Sequence, residues 1–108
     1  MEIKIHTQQV DISAEREAYI RAKFEKITHW AERLSDESVE IKVDLIHQAA
    51  KKPEDVYECH LTLFVPGETL RAEAHSDSLE NAVDEVIEKI KAPIQRYKDK
   101  MNPISGRE

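Results

Sequence analysis

One cysteine, two glycines and the lack of any long apolar run exclude several kinds of protein before any pattern is considered. Cys59 has no partner for an internal disulfide and no second thiol for a zinc cluster. No glycine-rich phosphate loop is present, and no apolar run approaches the roughly 20 residues that span a bilayer. Met1 leads straight into Glu2-Ile3-Lys4-Ile5, which lacks the apolar centre of a signal peptide. A cytoplasmic protein without a membrane partner is therefore expected. Charged residues make up 35% and hydrophobic residues 40%, a balance that suits a folded, heavily charged domain and not a disordered chain. At 108 residues one core can bury roughly 60 to 70% of the unfolded surface, so a single domain is expected over residues 1–101, followed by a short tail over 102–108.

The net charge of −6 hides a strong asymmetry. Residues 1–33 balance, residues 34–88 carry an excess of ten acids, and residues 89–108 an excess of four cations. The stretch "KIKAPIQRYKDK" at 89–100 holds five of the six cations of that last segment. Local fields govern docking, so the acidic total does not exclude a nucleic-acid partner.

Ile3 and Ile5 alternate with polar residues as a short half-buried strand. Ser13 is placed as an N-cap, and Ile20, Phe24, Ile27, Ala31 and Leu34 recur at three and four to give one apolar stripe on a helix of about five turns. Val39, Ile41, Val43 and Leu45 alternate, as do Tyr57, Cys59, Leu61 and Leu63, with the polar residues 48–55 as their connection. Pro66-Gly67-Glu68 marks a tight turn into a last strand whose inward face is Leu70, Ala72 and Ala74. Asp77 with Glu80 resembles a capping box, and Leu79, Val83, Val86, Ile90, Ile94, Tyr97 and Met101 form a second stripe ended by Asn102-Pro103. Pro93 interrupts this stripe without shifting its phase, so a kinked single helix is expected. The order β-α-β-β-β-α predicts an α+β domain, a four-stranded sheet with two helices packed on one face and the other face wet.

At 100° per residue, Arg16, Tyr19, Lys23, Lys26, Trp30 and Arg33 flank the first stripe. Lys89, Arg96 and Lys100 line one flank of the second, with Lys91 and Lys98 on its opposite border. A positive groove between the helices is then geometrically available. The helix macrodipole also favours cations in last turns and acids such as Asp77, Glu80, Asp84 and Glu85 in first turns, which needs no ligand. It does not account for Lys23 and Lys26 in the middle of a five-turn helix. Tyr19 and Trp30 offer stacking surfaces, although an aromatic bordering an apolar stripe ordinarily belongs to the core.

Five segments in order, "VDIS", "KFEKITHW", "VPGETLRAEA", "DSLENAVDEVIEKI" and "QRYKDK", resemble the ribosome hibernation-promoting factors, also called ribosome-associated inhibitors or sigma-54 modulation proteins. The likeness runs from the first strand to about Lys100. It implies a β-α-β-β-β-α ribosome-binding domain without catalysis or cofactor. It also implies docking in the decoding channel of the small ribosomal subunit, where basic helix residues meet ribosomal RNA and occupy space needed by transfer and messenger RNA. By position, Lys23 and Lys26 match the basic sites of the first helix and Lys89, Arg96, Lys98 and Lys100 those of the second, while Arg71 sits at the arginine of "LRAE". Arg16, Tyr19, Trp30 and Arg33 border the same groove as further candidates. The chain departs from its relatives at Ala92, where arginine is frequent, at Pro93, at Leu79, where tyrosine is common, and at His29, often lysine. Ending at Glu108, it resembles the short form, which implies a monomer off the ribosome that does not itself bridge two ribosomes.

Three other readings stay open at this stage. Helices on one side of an antiparallel sheet also occur in double-stranded-RNA modules, so a general structured-RNA-binding domain acting outside the ribosome is the main alternative. His6, His29, His47, His60 and His75 are the plausible metal ligands or bases besides carboxylates, with His47 and His60 as candidate hairpin neighbours, but no motif accompanies them; neither an enzyme nor a metal site is expected. The open sheet face, with Lys42, Asp44, Glu58, His60, Thr62, Arg71 and Glu73, offers a third surface whose mixed charges suit ordinary solvent-facing strands.

Overall fold

In a computed structural model, described for residues 2–27, 39–49 and 51–101, the alternating segments become β1 (Glu2–Gln8), β2 (Glu40–His47), β3 (Tyr57–Val65) and β4 (Glu68–Ser76). The stripes become α1 (Ala14–Glu25) and α2 (Leu79–Met101), and a 3-10 turn, Pro53–Asp55, lies in the β2–β3 connection. The four strands form one sheet in the order β1-β2-β3-β4. β2, β3 and β4 are successive antiparallel neighbours, pairing Val43 with Leu61 and Leu61 with Ala72. β1 lies parallel to β2, with Ile3 opposite Ile41 and Ile5 opposite Val43. Parallel neighbours need a crossover, and α1 lies within it.

The pleat separates two faces. Ile41, Val43 and Leu45, then Cys59, Leu61, Leu63 and Val65, then Leu70 and Ala74 are buried beneath the helices. They share one core with Ile20, Phe24 and Ile27 and with the α2 stripe Leu79, Ala82, Val83, Val86, Ile90, Ile94 and Tyr97. α2 packs on β3 and β4, and α1 lies against β1. Ala31 and Leu34, the expected end of the first stripe, and the tail at 102–108 lie outside the described residues.

Ser13 caps α1 as expected: its Oγ accepts from the Arg16 amide at 3.1 Å. The start of α2 differs from expectation by one residue. Ser78, not Asp77, supplies the cap, its Oγ accepting from the Asn81 amide at 3.2 Å and its carbonyl from the Ala82 amide at 3.1 Å. Both residue types cap well, and the phase that buries Leu79, Ala82 and Val83 selects the serine. The displaced Asp77 instead accepts from the Asn81 side chain at 3.5 Å. α2 continues unbroken across Pro93, as the in-phase stripe requires.

Between β3 and β4 only Pro66 and Gly67 turn the chain, Val65 pairing with Glu68. The proline ring holds φ near −65°, and Gly67 has φ +82°, the left-handed value a type II turn needs at its second central position. Tyr97 then ties α2 to this turn, its hydroxyl donating to the Pro66 carbonyl at 3.0 Å.

Candidate nucleic-acid interface

The inner flank of α2 is defined by what α1 touches. Arg16 is bonded to Glu80, and Lys23 Nζ donates to Asp84 Oδ1 at 2.6 Å. Both contacts advance in the same sense along the two helices, so α1 and α2 run parallel. Helical periodicity puts Ile87, Lys91 and Lys98 on the same flank as Glu80 and Asp84. Lys23 is largely enclosed, its side chain 20% exposed, and it also lies over the Tyr19 ring at 5.0 Å. The Asp84 hydrogen bond raises the Lys23 pKa above its ordinary 10.5 against the opposing effect of burial. Tyr19 itself is 54% exposed, so it is not part of the core where a bordering aromatic usually belongs.

The outer flank of α2 faces β4. Lys89 Nζ donates to the Glu73 carbonyl at 3.0 Å, and Lys100 Nζ to Glu68 Oε1 at 2.8 Å. Arg96 shares that flank by periodicity, and it makes no ion pair among the described residues. The expected groove is thus divided. Lys23 lies between the helices, whereas Lys89 and Lys100 lie across α2 from it, because the long axis of α2 separates its two charged borders. Lys98 is on the inner side with Lys91, which pairs with Glu88 at 2.8 Å. Lys26, at the α1 C-cap, is exposed. Arg71 projects from the opposite face of the sheet with Lys42 and Thr62 and joins neither helix border. Trp30, Arg33 and His29 lie outside the described residues.

The helix cations follow one another along the layer and do not meet at one end, because Lys23 in the last turn of α1 is level with Asp84 in the second turn of α2. Lys23 and Lys26 occupy the last turn and cap of α1, where the helix dipole itself favours cations, and not the middle of a longer helix as expected; the α2 cations begin at Lys89. The first turns of α2 carry Glu80, Asp84, Glu85 and Glu88 instead, so Arg16 and Lys23 lie beside its acidic half and its basic half extends past them. Sequence reading missed Glu80 and Asp84 as direct partners of Arg16 and Lys23. Their four-residue spacing on one α2 border was a signal, but only the relative setting of the helices makes it a contact.

Two other groups bear on chemistry. Cys59 is buried under the helices, and desolvation, followed by the nearby Asp44 charge, pushes its thiol up to about 12, which makes it inert near neutral pH. His47 and His60 are not hairpin neighbours: His47 stands opposite Tyr57, with ring centroids 4.9 Å apart, and His60 stands opposite Asp44 on the open face. Among the described residues no three His, Cys, Asp or Glu side chains converge as metal donors, and no helix is long and apolar enough to cross a membrane.

A mixed sheet of this order, covered on one side by two parallel helices, defines a small α+β domain. Residues 3–102 match the model of the family described as sigma 54 modulation protein / S30EA ribosomal protein, and the chain belongs to that family. It is 25% identical over 101 residues to the ribosome hibernation promoting factor of Escherichia coli K12, covering 94% of this chain and 97% of the relative. The protein of that name from Salmonella typhimurium is 26% identical over the same share. A ribosomal subunit interface protein from Coxiella burnetii shares the fold with a TM-score of 0.69, at 24% identity over 91% of this chain and 98% of its own. The N-terminal domain of Thermus thermophilus Protein Y does so with a TM-score of 0.69, at 19% identity over 90% and 99%.

Proposed function

We infer that this protein is a ribosome hibernation factor: a non-catalytic cytoplasmic domain that binds the small ribosomal subunit through its helix layer, at the decoding channel, and keeps the ribosome inactive by occupying space needed by transfer and messenger RNA. The observation that carries the reading is the basic second half of α2, from Lys89 to Lys100, which extends past Lys23 and the described end of α1. Family membership and the names of the relatives supply the ribosome as the partner. Lys23, Lys26 and Lys98 form the inner border of the contact, with Arg16 behind them, and Lys89, Arg96 and Lys100 form the outer border. The second half of α2 is therefore a basic rod between two charged edges, in place of one wall of a trough. Folded RNA is recognised largely through phosphates, 2′-hydroxyls and groove shape, so such a rod binds without reading sequence.

If about five phosphates are neutralised, the logarithm of affinity for small subunits falls with the logarithm of salt at a slope of roughly −3.5 to −4.5. Cosedimentation across a salt series measures it. A flat response contradicts the electrostatic contact, and equal affinity for a free RNA duplex points to an RNA-binding domain acting outside the ribosome.

A further inference from the structure

The face of the sheet away from the helices has its own charge pattern, and the strand register makes it explicit. Successive rows across the four strands read Glu2, Glu40, Phe64, Thr69; then Lys4, Lys42, Thr62, Arg71; then His6, Asp44, His60, Glu73. The middle row is a band of three cations and one hydroxyl. Lys4 and Lys42 are directly opposite each other, an arrangement of like charges that costs stability in a sheet.

Four carboxylates flank the band, Glu2, Glu40, Asp44 and Glu73, but they do not pair with all three of its cations. Glu40 is 3.8 Å from Lys4, and Glu73 is 3.6 Å from His60. Lys42 and Arg71 make no ion pair or side-chain hydrogen bond among the described residues, although both line a shallow cavity of about 460 Å³. Thr62 lies between them on β3. One pleat further along the same strand stands Phe64, which also lines the cavity and is 40% exposed, the other large hydrophobic besides Tyr19 turned to solvent among the described residues.

We propose that this open face is a second RNA-contact surface, in which a single-stranded RNA segment crosses the sheet with a phosphate held by Lys42, Thr62 and Arg71 and a base stacked on Phe64. Lys42 and Arg71 are two strands apart, about 9.6 Å, a span that two long side chains close from both sides onto one phosphate above the Thr62 hydroxyl. The pleat repeat of about 6.6 Å between Thr62 and Phe64 suits the reach from a phosphate across its ribose to the base. Stacking accepts any base, because every base has a π-face. A strand is favoured over a free nucleotide because the band extends to Lys4 on β1, beyond the reach of one nucleotide. Asp44 and Glu73, the two carboxylates of the cavity, limit affinity and confine the phosphate to the Thr62 side of the band. The inference shares with the ribosomal reading only the polymer it names, since the face is the opposite one.

The test is a titration of isotope-labelled protein with an eight-nucleotide single-stranded RNA, followed by amide NMR shifts, beside separate cosedimentation with small subunits. The expected result is that amides of Lys42, Thr62, Phe64 and Arg71 shift together. Phe64→Ala should weaken that binding roughly 5- to 100-fold, and Lys42→Gln with Arg71→Gln should abolish the shifts while the thermal melt is kept. Shifts confined to the helices, saturation by a nucleoside monophosphate at the same concentration, or binding indifferent to Phe64→Ala would each overturn the proposal. Failure of the wild-type protein to cosediment sinks the ribosomal reading alone, and NMR shifts that persist at the open face then still support this one.

Discussion

Replacing the two α2 carboxylates that face α1 with their amides, Glu80→Gln together with Asp84→Asn, should tighten ribosome binding while making the protein less stable. In the free protein Asp84 holds Lys23 at 2.6 Å and Glu80 holds Arg16, so any phosphate that reaches these cations competes with a carboxylate already in place. At a separation of about 8 Å in a watery interface, each carboxylate repels a docked phosphate by about 0.5 kcal/mol. Removing both gains about 1 kcal/mol, close to fivefold in affinity. The cost falls on folding. Two partly exposed ion pairs contribute about 0.2 to 1 kcal/mol each, and Glu80 also favours the first turn of α2 through its dipole. A loss near 1 kcal/mol lowers the melting temperature of a chain this size by about 4 to 8 °C. Cosedimentation with purified small subunits at fixed salt gives the affinity, and circular dichroism gives the melt. The affinity gain should shrink as salt rises. A lower melting temperature with unchanged or weaker ribosome binding would refute the placement of this groove against RNA.

Further outcomes follow from the fold. Cys59 should resist iodoacetamide at pH 8 in the native protein and react at once in denaturant. Its folded pKa of about 12 lies above the ordinary 9.0, so the folded state keeps its proton longer than the unfolded one; stability is full below about pH 9 and falls as pH rises toward 12, a decline that Cys59→Ala should reduce. The raised Lys23 pKa works in the same alkaline direction, its contribution being present below 10.5 and lost as pH rises through the folded value. Gly67→Ala should cost about 1 to 2 kcal/mol by chemical denaturation, since an added Cβ meets nothing within 4 Å and only the φ of +82° resists it; a neutral result would mean the turn relaxes freely.

The architecture was legible because its periodicities do not conflict. Val43 and Leu45, Leu61 and Leu63, and Leu70 and Ala74 alternate as half-buried strands must, and Val83, Val86, Ile90 and Ile94 repeat as a helix on a sheet must. The direction of β1 was not legible, because Ile3 and Ile5 alternate equally well in a parallel or an antiparallel pair. The cap moved from Asp77 to Ser78 because two adjacent residues are both competent, and burial of Leu79 decides between them. The candidate contact residues were read from helical wheels, which assign a border correctly but do not say what it faces. Lys89 and Lys100 share the flank that a groove would use, but the neighbour of that flank is β4. Arg71 came from a motif, and only the register reveals that it shares a row with Lys42 and Thr62.

Density-gradient sedimentation of purified small subunits with wild-type protein and with Lys23→Glu combined with Lys26→Glu tests the central claim most directly. The account predicts that wild-type protein travels with the subunit at low salt and that the double charge reversal, still folded, stays at the top of the gradient. Comigration of the reversed variant at wild-type levels would contradict it.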